Sequence, residues 1–340
     1  MKAVFDPRQR AHDPQGFLVA GTPRPSPEQP ARVDALLAGV AAAGAEPIAA
    51  ADYGRAPIAA VHTAEYLDFL ETAHALWRET PGASAEVVPN VHLDRARATY
   101  PASVVGRAGW HQADLACPIG PRTWESAWWS AQSALTGAEL IREGERLAYA
   151  LCRPPGHHAY ADAAGGFCFL NNTAIAAERL TRAGRRVAVL DVDVHHGNGT
   201  QGIFYARGDV LTVSVHGDPH AYYPFMQGHA HERGEGPGAG ANLNLPLARG
   251  TGDGPWLAAV EAGLARIRAF GADTLVVALG LDAFAGDPLA FLAVTAEGFR
   301  ACGARVAGAG LATLLVQEGG YLSDDLGANL AAFLAGVEGG

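Results

Sequence analysis

Asp191, Asp193 and His195 stand at alternate positions in the run Val187-Ala-Val-Leu-Asp-Val-Asp-Val-His-His196. Carboxylate and imidazole are ligands that suit a divalent metal. The run reads as a buried strand over 186–194, and strand side chains repeat every two residues. The three polar groups therefore share one face, while Val192 and Val194 take the other. Two carboxylates buried side by side are costly unless a cation neutralises them, which favours zinc or a similar ion over a solvated strand end. Other polar groups follow other apolar runs: Cys152 leads into Arg-Pro-Pro-Gly-His157-His158, Leu281 into Asp282, and Gln317 into Glu-Gly-Gly-Tyr321. Parallel strands share one carboxyl edge, where folds of this kind place their ligands. Met there, Asp193, His195 and Asp282 supply three metal ligands and leave a position open for water or substrate. His157 and His158 add acid–base groups, and Tyr321 adds a hydroxyl donor beside a Gly-Gly hinge.

The elements that must position these groups are legible as apolar runs. Strands are predicted over 2–5, 147–152, 186–194, 210–215, 274–280 and 311–317. Helices are predicted over 31–43, 64–78, 123–142, 171–183, 254–270, 295–307 and 326–337, several ending in Ala-Gly or Phe-Gly. This alternation predicts an α/β fold: one large, doubly wound, mostly parallel sheet with helices on both faces. Residues 1–340 read as a single catalytic domain, with a weakly periodic excursion over 79–121. The chain is 49% hydrophobic and 18% charged, which excludes global disorder. A net charge of −10 argues against nucleic acid as partner and tolerates a cationic small substrate. The start MKAVFDPRQR lacks an apolar signal segment, and no run is long enough to span a membrane. Cys117, Cys152, Cys168 and Cys302 form no CxxC pair, as expected of buried free thiols in a reducing cytoplasm.

One motif points elsewhere. Gly197-Asn-Gly199-Thr-Gln-Gly202 matches GxGxxG directly after a strand, with Asp218 at the distance of a ribose-binding acid, as in an NAD-dependent oxidoreductase. The carboxylates at that strand end would repel a pyrophosphate, which counts against this reading. His196, His216, His220, His229 and His231 read as structural or loop residues, and Trp124, Trp128 and Trp129 as packing on one helix.

The strings RPPGHHA, GGFCFLNN, DVDVHHGNGTQ, GLDAF and EGGY, in this order, resemble the arginase-fold zinc amidohydrolases, the group of histone deacetylases and bacterial acetylpolyamine amidohydrolases. The resemblance spans nearly the whole chain, and the segments KAVFDP and VHTAEYLDFLETAHALW are most similar to the acetylpolyamine branch. It implies a metal-dependent linear amide hydrolase in which Asp193, His195 and Asp282 bind one Zn2+, a set that Fe2+ or Co2+ would also accept. His158 is then the base that activates water and later protonates the leaving amine. His157, paired with Asp191, is its electrostatic partner, and Asn198 orients it. Some deacetylases carry aspartate at the Asn198 position; the neutral amide here makes His158 less basic. Tyr321 is implied as oxyanion donor, Gly166 as carbonyl acceptor of the substrate amide, and Phe167 with Tyr223 as channel walls. Asp191, Asp193, His195, Ser214 and Val215 resemble the family's structural K+ site.

For the substrate, the resemblance implies a small N-acyl amine, and for the excursion a role in a homodimer that narrows the channel. Polyamine-specific relatives carry glutamates in this excursion, whereas between Thr99 and Trp124 the only acid here is Asp114, beside Arg107, His111 and Arg122. The implied substrates thus extend from acetylpolyamines to less charged acyl amines, with acyl-lysine in peptides or proteins as the alternative.

Overall fold

The computed structural model describes residues 1–92 and 95–339. Its strands are β1 (Lys2–Phe5), β2 (Gly16–Val19), β3 (Thr22–Pro25), β4 (Glu46–Ala49), β5 (Leu147–Ala150), β6 (Val187–Asp191), β7 (Val210–Gly217), β8 (Asn242–Leu247), β9 (Thr274–Leu279) and β10 (Ala312–Gln317). Strands β2 and β3 pair as a separate antiparallel hairpin. The other eight form one sheet in the order β4-β1-β5-β10-β9-β6-β7-β8. Every neighbouring pair in it is parallel.

The helices are α1 (Arg32–Ala42), α2 (Ala56–Ala59), α3 (Ala64–Arg78), α4 (Val104–His111), α5 (Thr123–Arg142), α6 (Asn172–Arg182), α7 (Asn198–Phe204), α8 (Asp253–Phe270), α9 (Ala296–Gly308) and α10 (Leu326–Glu338). Alternate strand residues face opposite layers. Leu190, Val213, Val277 and Leu315 join one core with α1, α8, α9 and α10, through side chains such as Trp256, Phe299 and Phe333. Val189, Val276, Leu314 and Val316 join another with α5, α6 and α7. A strand covered on both faces must be apolar at successive positions, which is why these strands read as unbroken apolar runs. Each fully buried Val, Leu or Phe contributes roughly 1.5–3 kcal/mol.

The edge strands β4 and β8 are absent from the sequence reading. Strand β4 is mostly exposed and contains Pro47, and β8 alternates Asn with Leu, so neither gives a continuous apolar signal. The excursion also differs from a loop. Helix α4 lies within it, Val87 bridges Ile119, and Val87, Ala108, Cys117 and Ile119 form a third core with Tyr66, Phe69 and Trp77 of α3. Leu93 and Asp94 of the excursion lie outside the described residues. Trp124 and Trp128 pack against this third core, and Trp129 lies beneath the Arg8 guanidinium.

Acid sensitivity follows from a buried imidazole at the start of this layer. His62 Nε2 accepts the backbone N–H of Asn171, the N-cap of α6, at 2.9 Å. Burial lowers its pKa to about 4, from an ordinary value of 6.5. Because the folded pKa is the lower one, the unfolded chain binds more protons between pH 6.5 and 4. Stability present above pH 6.5 is therefore lost as pH falls through 4, by roughly 3 kcal/mol for this residue. Urea unfolding at pH 7 and pH 4 checks this. His62→Gln should lose less stability between the two than the wild type, and equal losses would contradict it.

Candidate active site

Ala150, Val316, Ala278, Asp191 and Ser214 are register partners in one row across β5, β10, β9, β6 and β7. Loops leaving these strands start level, and the four neighbours β5, β10, β9 and β6 carry the tandem histidines, Tyr321, Asp282 and the Asp193–His195 pair. Strand β6 stops at Asp191, so Asp193 and His195 sit in the following loop rather than on the strand. The cause is a change of acceptor. Asp193 N–H donates to the Asp191 carboxylate (3.1 Å) and Val194 N–H to Asp282 (3.0 Å), so side chains replace the neighbouring strand. The alternation persists past the strand end, since Val192 and Val194 enter the core.

Ligand atoms of Asp193, His195 and Asp282 all lie within 4.8 Å of one another, and all three residues are buried. His195 Nδ1 is 3.1 Å from Asp193 Oδ1 and 3.2 Å from Asp282 Oδ2. Burial opposes charge on this imidazole, but the two carboxylates outweigh it and raise its pKa to about 9. The same convergence of two carboxylates on one imidazole is a field that favours a divalent cation. The backbone packs closely behind the two carboxylates. A Cβ at Gly319 would lie 2.2 Å from Asp282 Oδ2 and 2.5 Å from Asp193 Oδ2, and Gly319 N–H donates to that same Asp193 oxygen. The donor set and its cradle fit a divalent ion.

His157, Cys168 and Glu318 are also close enough to share an ion. Their chemistry does not fit. Burial raises the Cys168 thiol well above its ordinary pKa, which disfavours the thiolate that a metal would need. The Glu318 carboxylate already accepts the N–H groups of Gly156 (2.6 Å) and His157 (3.0 Å) and the Thr173 hydroxyl (2.6 Å).

The tandem histidines are held in different states. His157 Nδ1 meets Asp191 Oδ2 at 2.9 Å, and although burial disfavours charge, Asp193 and Asp191 hold its pKa well above 6.5. Burial, then the neighbouring His157 and His195, push His158 well below 6.5. Its tautomer is fixed from behind: Asn198 Nδ2 donates to the Tyr160 oxygen (2.7 Å), which turns Asn198 Oδ1 toward His158 Nδ1 (2.6 Å). The amide oxygen only accepts, so the proton sits on Nδ1 and Nε2 is left as a free acceptor.

Tyr321 is buried, with Phe167 edge-on at 5.7 Å and the Arg32 guanidinium 4.9 Å from its ring. Tyr223 packs edge-on to His158 at 4.9 Å, and its hydroxyl lies beside the Gly166 backbone that precedes Phe167. Gly166 adjoins the His158 ring so closely that a Cβ there would come within 2.5 Å of Cδ2. Ser214 pairs with Asp191 in register, but its hydroxyl is hydrogen-bonded to His216 Nδ1 (2.7 Å), and the Val215 side chain enters the core. His196 and His216 are buried, and His220 and His231 are exposed.

Three supporting groups had no role in the sequence reading. Glu318, quoted only as part of EGGY, fastens the tandem-histidine turn to the end of β10. Asp287 accepts the Tyr321 backbone N–H at 2.7 Å, five residues after Asp282. Arg32 donates to the carbonyls of Gly320 (2.6 Å) and Glu318 (2.7 Å), while Glu28 pairs with both Arg32 and Arg153. All three members of that ion network are fully buried, and long-range folding brings Arg153 to the local pair of Glu28 and Arg32.

The glycine motif at α7 has a different cause from pyrophosphate binding. A Cβ at Gly199 would lie 2.3 Å from the Ala159 carbonyl oxygen, and Thr200 N–H donates to the His157 carbonyl at 3.1 Å. The glycines let α7 approach the tandem-histidine turn, and the chain itself fills the space an anion would need.

A parallel eight-stranded sheet with a carboxylate–imidazole cluster and a histidine dyad at its carboxyl edge defines a deacetylase-type amidohydrolase. The histone deacetylase domain pattern matches residues 26–337. The acetylpolyamine amidohydrolase of Burkholderia pseudomallei is 46% identical over 337 residues, covering 99% of this chain and 98% of that protein. Acetylpolyamine amidohydrolase 1 of Pseudomonas aeruginosa is 45% identical, covering 100% and 99%. A crystal structure of the Burkholderia pseudomallei acetylpolyamine aminohydrolase superimposes with a TM-score of 0.95 at 46% identity, covering 99% of this chain and 98% of that one. The chain belongs to the histone deacetylase family.

Proposed function

We propose that this chain removes acetyl or other short acyl groups from small N-acyl amines, with one divalent ion, zinc by the chemistry of the ligand set, held by Asp193, His195 and Asp282. The convergence of those three ligands beside a histidine dyad of split protonation carries the reading. When bound, the ion would acidify water and polarise the amide carbonyl. The free Nε2 of His158 takes the proton of the attacking water and returns it to the departing amine nitrogen. His157 keeps its own proton through Asp191 and supplies positive charge beside the developing oxyanion. Tyr321 donates its phenol hydrogen to that oxyanion, with its backbone fixed by Asp287 and Arg32. Gly166 receives the substrate N–H, and Phe167 and Tyr223 wall the substrate channel.

A K+ ion bound through Asp191, Asp193, His195, Ser214 and Val215 would steady the row that carries the ligands. The Asp191–Ser214 pairing and a cavity of about 10 Å³ bounded by both residues support this. A homodimer through the excursion is supported by exposed Val91 and Tyr100. A reducing cytoplasm is supported by four buried, unpaired cysteines, and no helix among the described residues is long and apolar enough to cross a membrane.

The substrate class follows from the relatives named for acetylpolyamine hydrolysis and from the aromatic walls, which suit a slender chain. Assaying acetylputrescine, acetylcadaverine, acetylspermidine and acetyl-lysine peptides at equal concentration tests it. One or more of the free acetylated amines should exceed the peptides in kcat/KM by at least about tenfold. A wide margin for the peptides would overturn the small-amine reading.

A further inference from the structure

Asp114 is the lone acid between Thr99 and Trp124, and it lies at the seam between the excursion and the catalytic loop. The seam is a run of backbone bonds: Ala164 N–H donates to the His111 carbonyl (2.8 Å), Ala113 N–H to the Ala164 carbonyl (2.7 Å), and Phe167 N–H to the Ala116 carbonyl (3.2 Å). Asp114 closes it with its side chain. Oδ1 accepts the Ala116 N–H at 2.8 Å. Oδ2 accepts the Gly166 N–H at 3.0 Å and the Tyr223 hydroxyl at 2.5 Å.

These bonds decide where the Gly166 carbonyl points. In a trans peptide the C=O and the following N–H are antiparallel. Phe167 N–H is directed outward to the excursion, so the Gly166 carbonyl is directed the opposite way. The Gly166 backbone lies against the His158 ring and adopts φ +49, a left-handed conformation that side-chain-bearing residues rarely take. Phe167 follows at φ +69, so the turn combines two left-handed residues and relies on outside bonds to persist. Asp114 supplies the bond at Gly166 and, through the same oxygen, fixes the ring of Tyr223.

We propose that Asp114 is a positioning residue that clasps the Gly165–Phe167 turn and Tyr223 into one wall, so that the Gly166 carbonyl is presented to the N–H of the scissile amide. It selects amides over esters through Gly166 without touching the reacting atoms. Its carboxylate is occupied by these donors, so it is not a free anchor for a distant ammonium group. The inference rests on the amidohydrolase reading above.

The test compares acetylputrescine with the acetate ester of 4-aminobutanol, which has the same chain but no N–H at the scissile bond. Asp114→Ala should retain the wild-type metal content, lose roughly tenfold in kcat/KM on the amide, and change less than about threefold on the ester. Asp114→Asn, which keeps the shape and one acceptor oxygen, should fall between, and it carries the same test if the alanine variant does not fold. Damage that is merely structural lowers both substrates together. An unchanged amide-to-ester ratio, whether both rates hold or both fall, overturns the role of Asp114. If the wild type hydrolyses another free acetylated amine of the panel above in place of acetylputrescine, that amine and its matching ester carry the same comparison. A wild type that hydrolyses none of them would overturn the underlying amidohydrolase reading, and the inference with it.

Discussion

His158→Ala should leave the fold and the metal content intact while slowing acetyl-amine hydrolysis by about 10²–10⁴-fold. The proposed metal ligands are Asp193, His195 and Asp282, so the substitution removes no donor from that set. It removes the imidazole whose surroundings keep it unprotonated: burial and the charge on His157 both act against a positive charge there. Asn198 leaves only Nε2 to act as base. His157 cannot take over, because the Asp191 and Asp193 carboxylates hold its proton. Steady-state kinetics on acetylputrescine, with metal content measured on the same sample, checks this. Turnover near wild type would remove His158 from the reaction.

Asp282→Asn should separate metal binding from folding. The asparagine oxygen still accepts the Val194 N–H that Asp282 Oδ1 receives at 3.0 Å, so the loop after β6 keeps its bond. The lost charge is one that burial and the neighbouring Asp193 carboxylate both disfavour, as the raised pKa of Asp282 shows. Asp193 still faces His195, so the metal-free variant should remain folded, and its melting curve without zinc serves as its own baseline. Its affinity for Zn2+ should fall by more than about 100-fold, since changing a group behind a ligand already costs about 10–100-fold. Zinc at 100 times the wild-type Kd should stabilise the wild type by about 2.7 kcal/mol and the variant by almost nothing. Melting curves with and without zinc read both effects, and equal zinc stabilisation of the two proteins would contradict the ligand assignment.

The sheet was legible where strands are covered on both faces. Strands β6, β7, β9 and β10 must be apolar at successive positions, and that requirement is visible in one dimension. Strands β4 and β8 lie at the sheet edges, where a polar side and a proline are tolerated, so their signals merge with loops. The site residues were legible because each follows directly on an apolar run: Asp193 and His195 after β6, Asp282 after β9, Tyr321 after β10. Residues that hold them are another matter. Arg32 reaches the Glu318 and Gly320 carbonyls across nearly the whole chain, and Asp114 reaches Gly166 from inside a weakly periodic segment. Neither has a local pattern, because the partner that gives it meaning is supplied only by folding. The glycines at 197 and 199 show the converse, a strong local pattern whose cause is the approach of α7 to the histidine turn.

The most direct test is a titration of metal-stripped wild-type protein with Zn2+, following bound metal and acetate release from acetylputrescine together, beside the same titration of Asp282→Asn. Activity should rise in step with occupancy and level off at one ion per chain in the wild type, while the variant shows neither tight binding nor turnover. Full activity in the stripped protein, or a variant that binds and turns over like the wild type, would contradict an active site built on Asp193, His195 and Asp282.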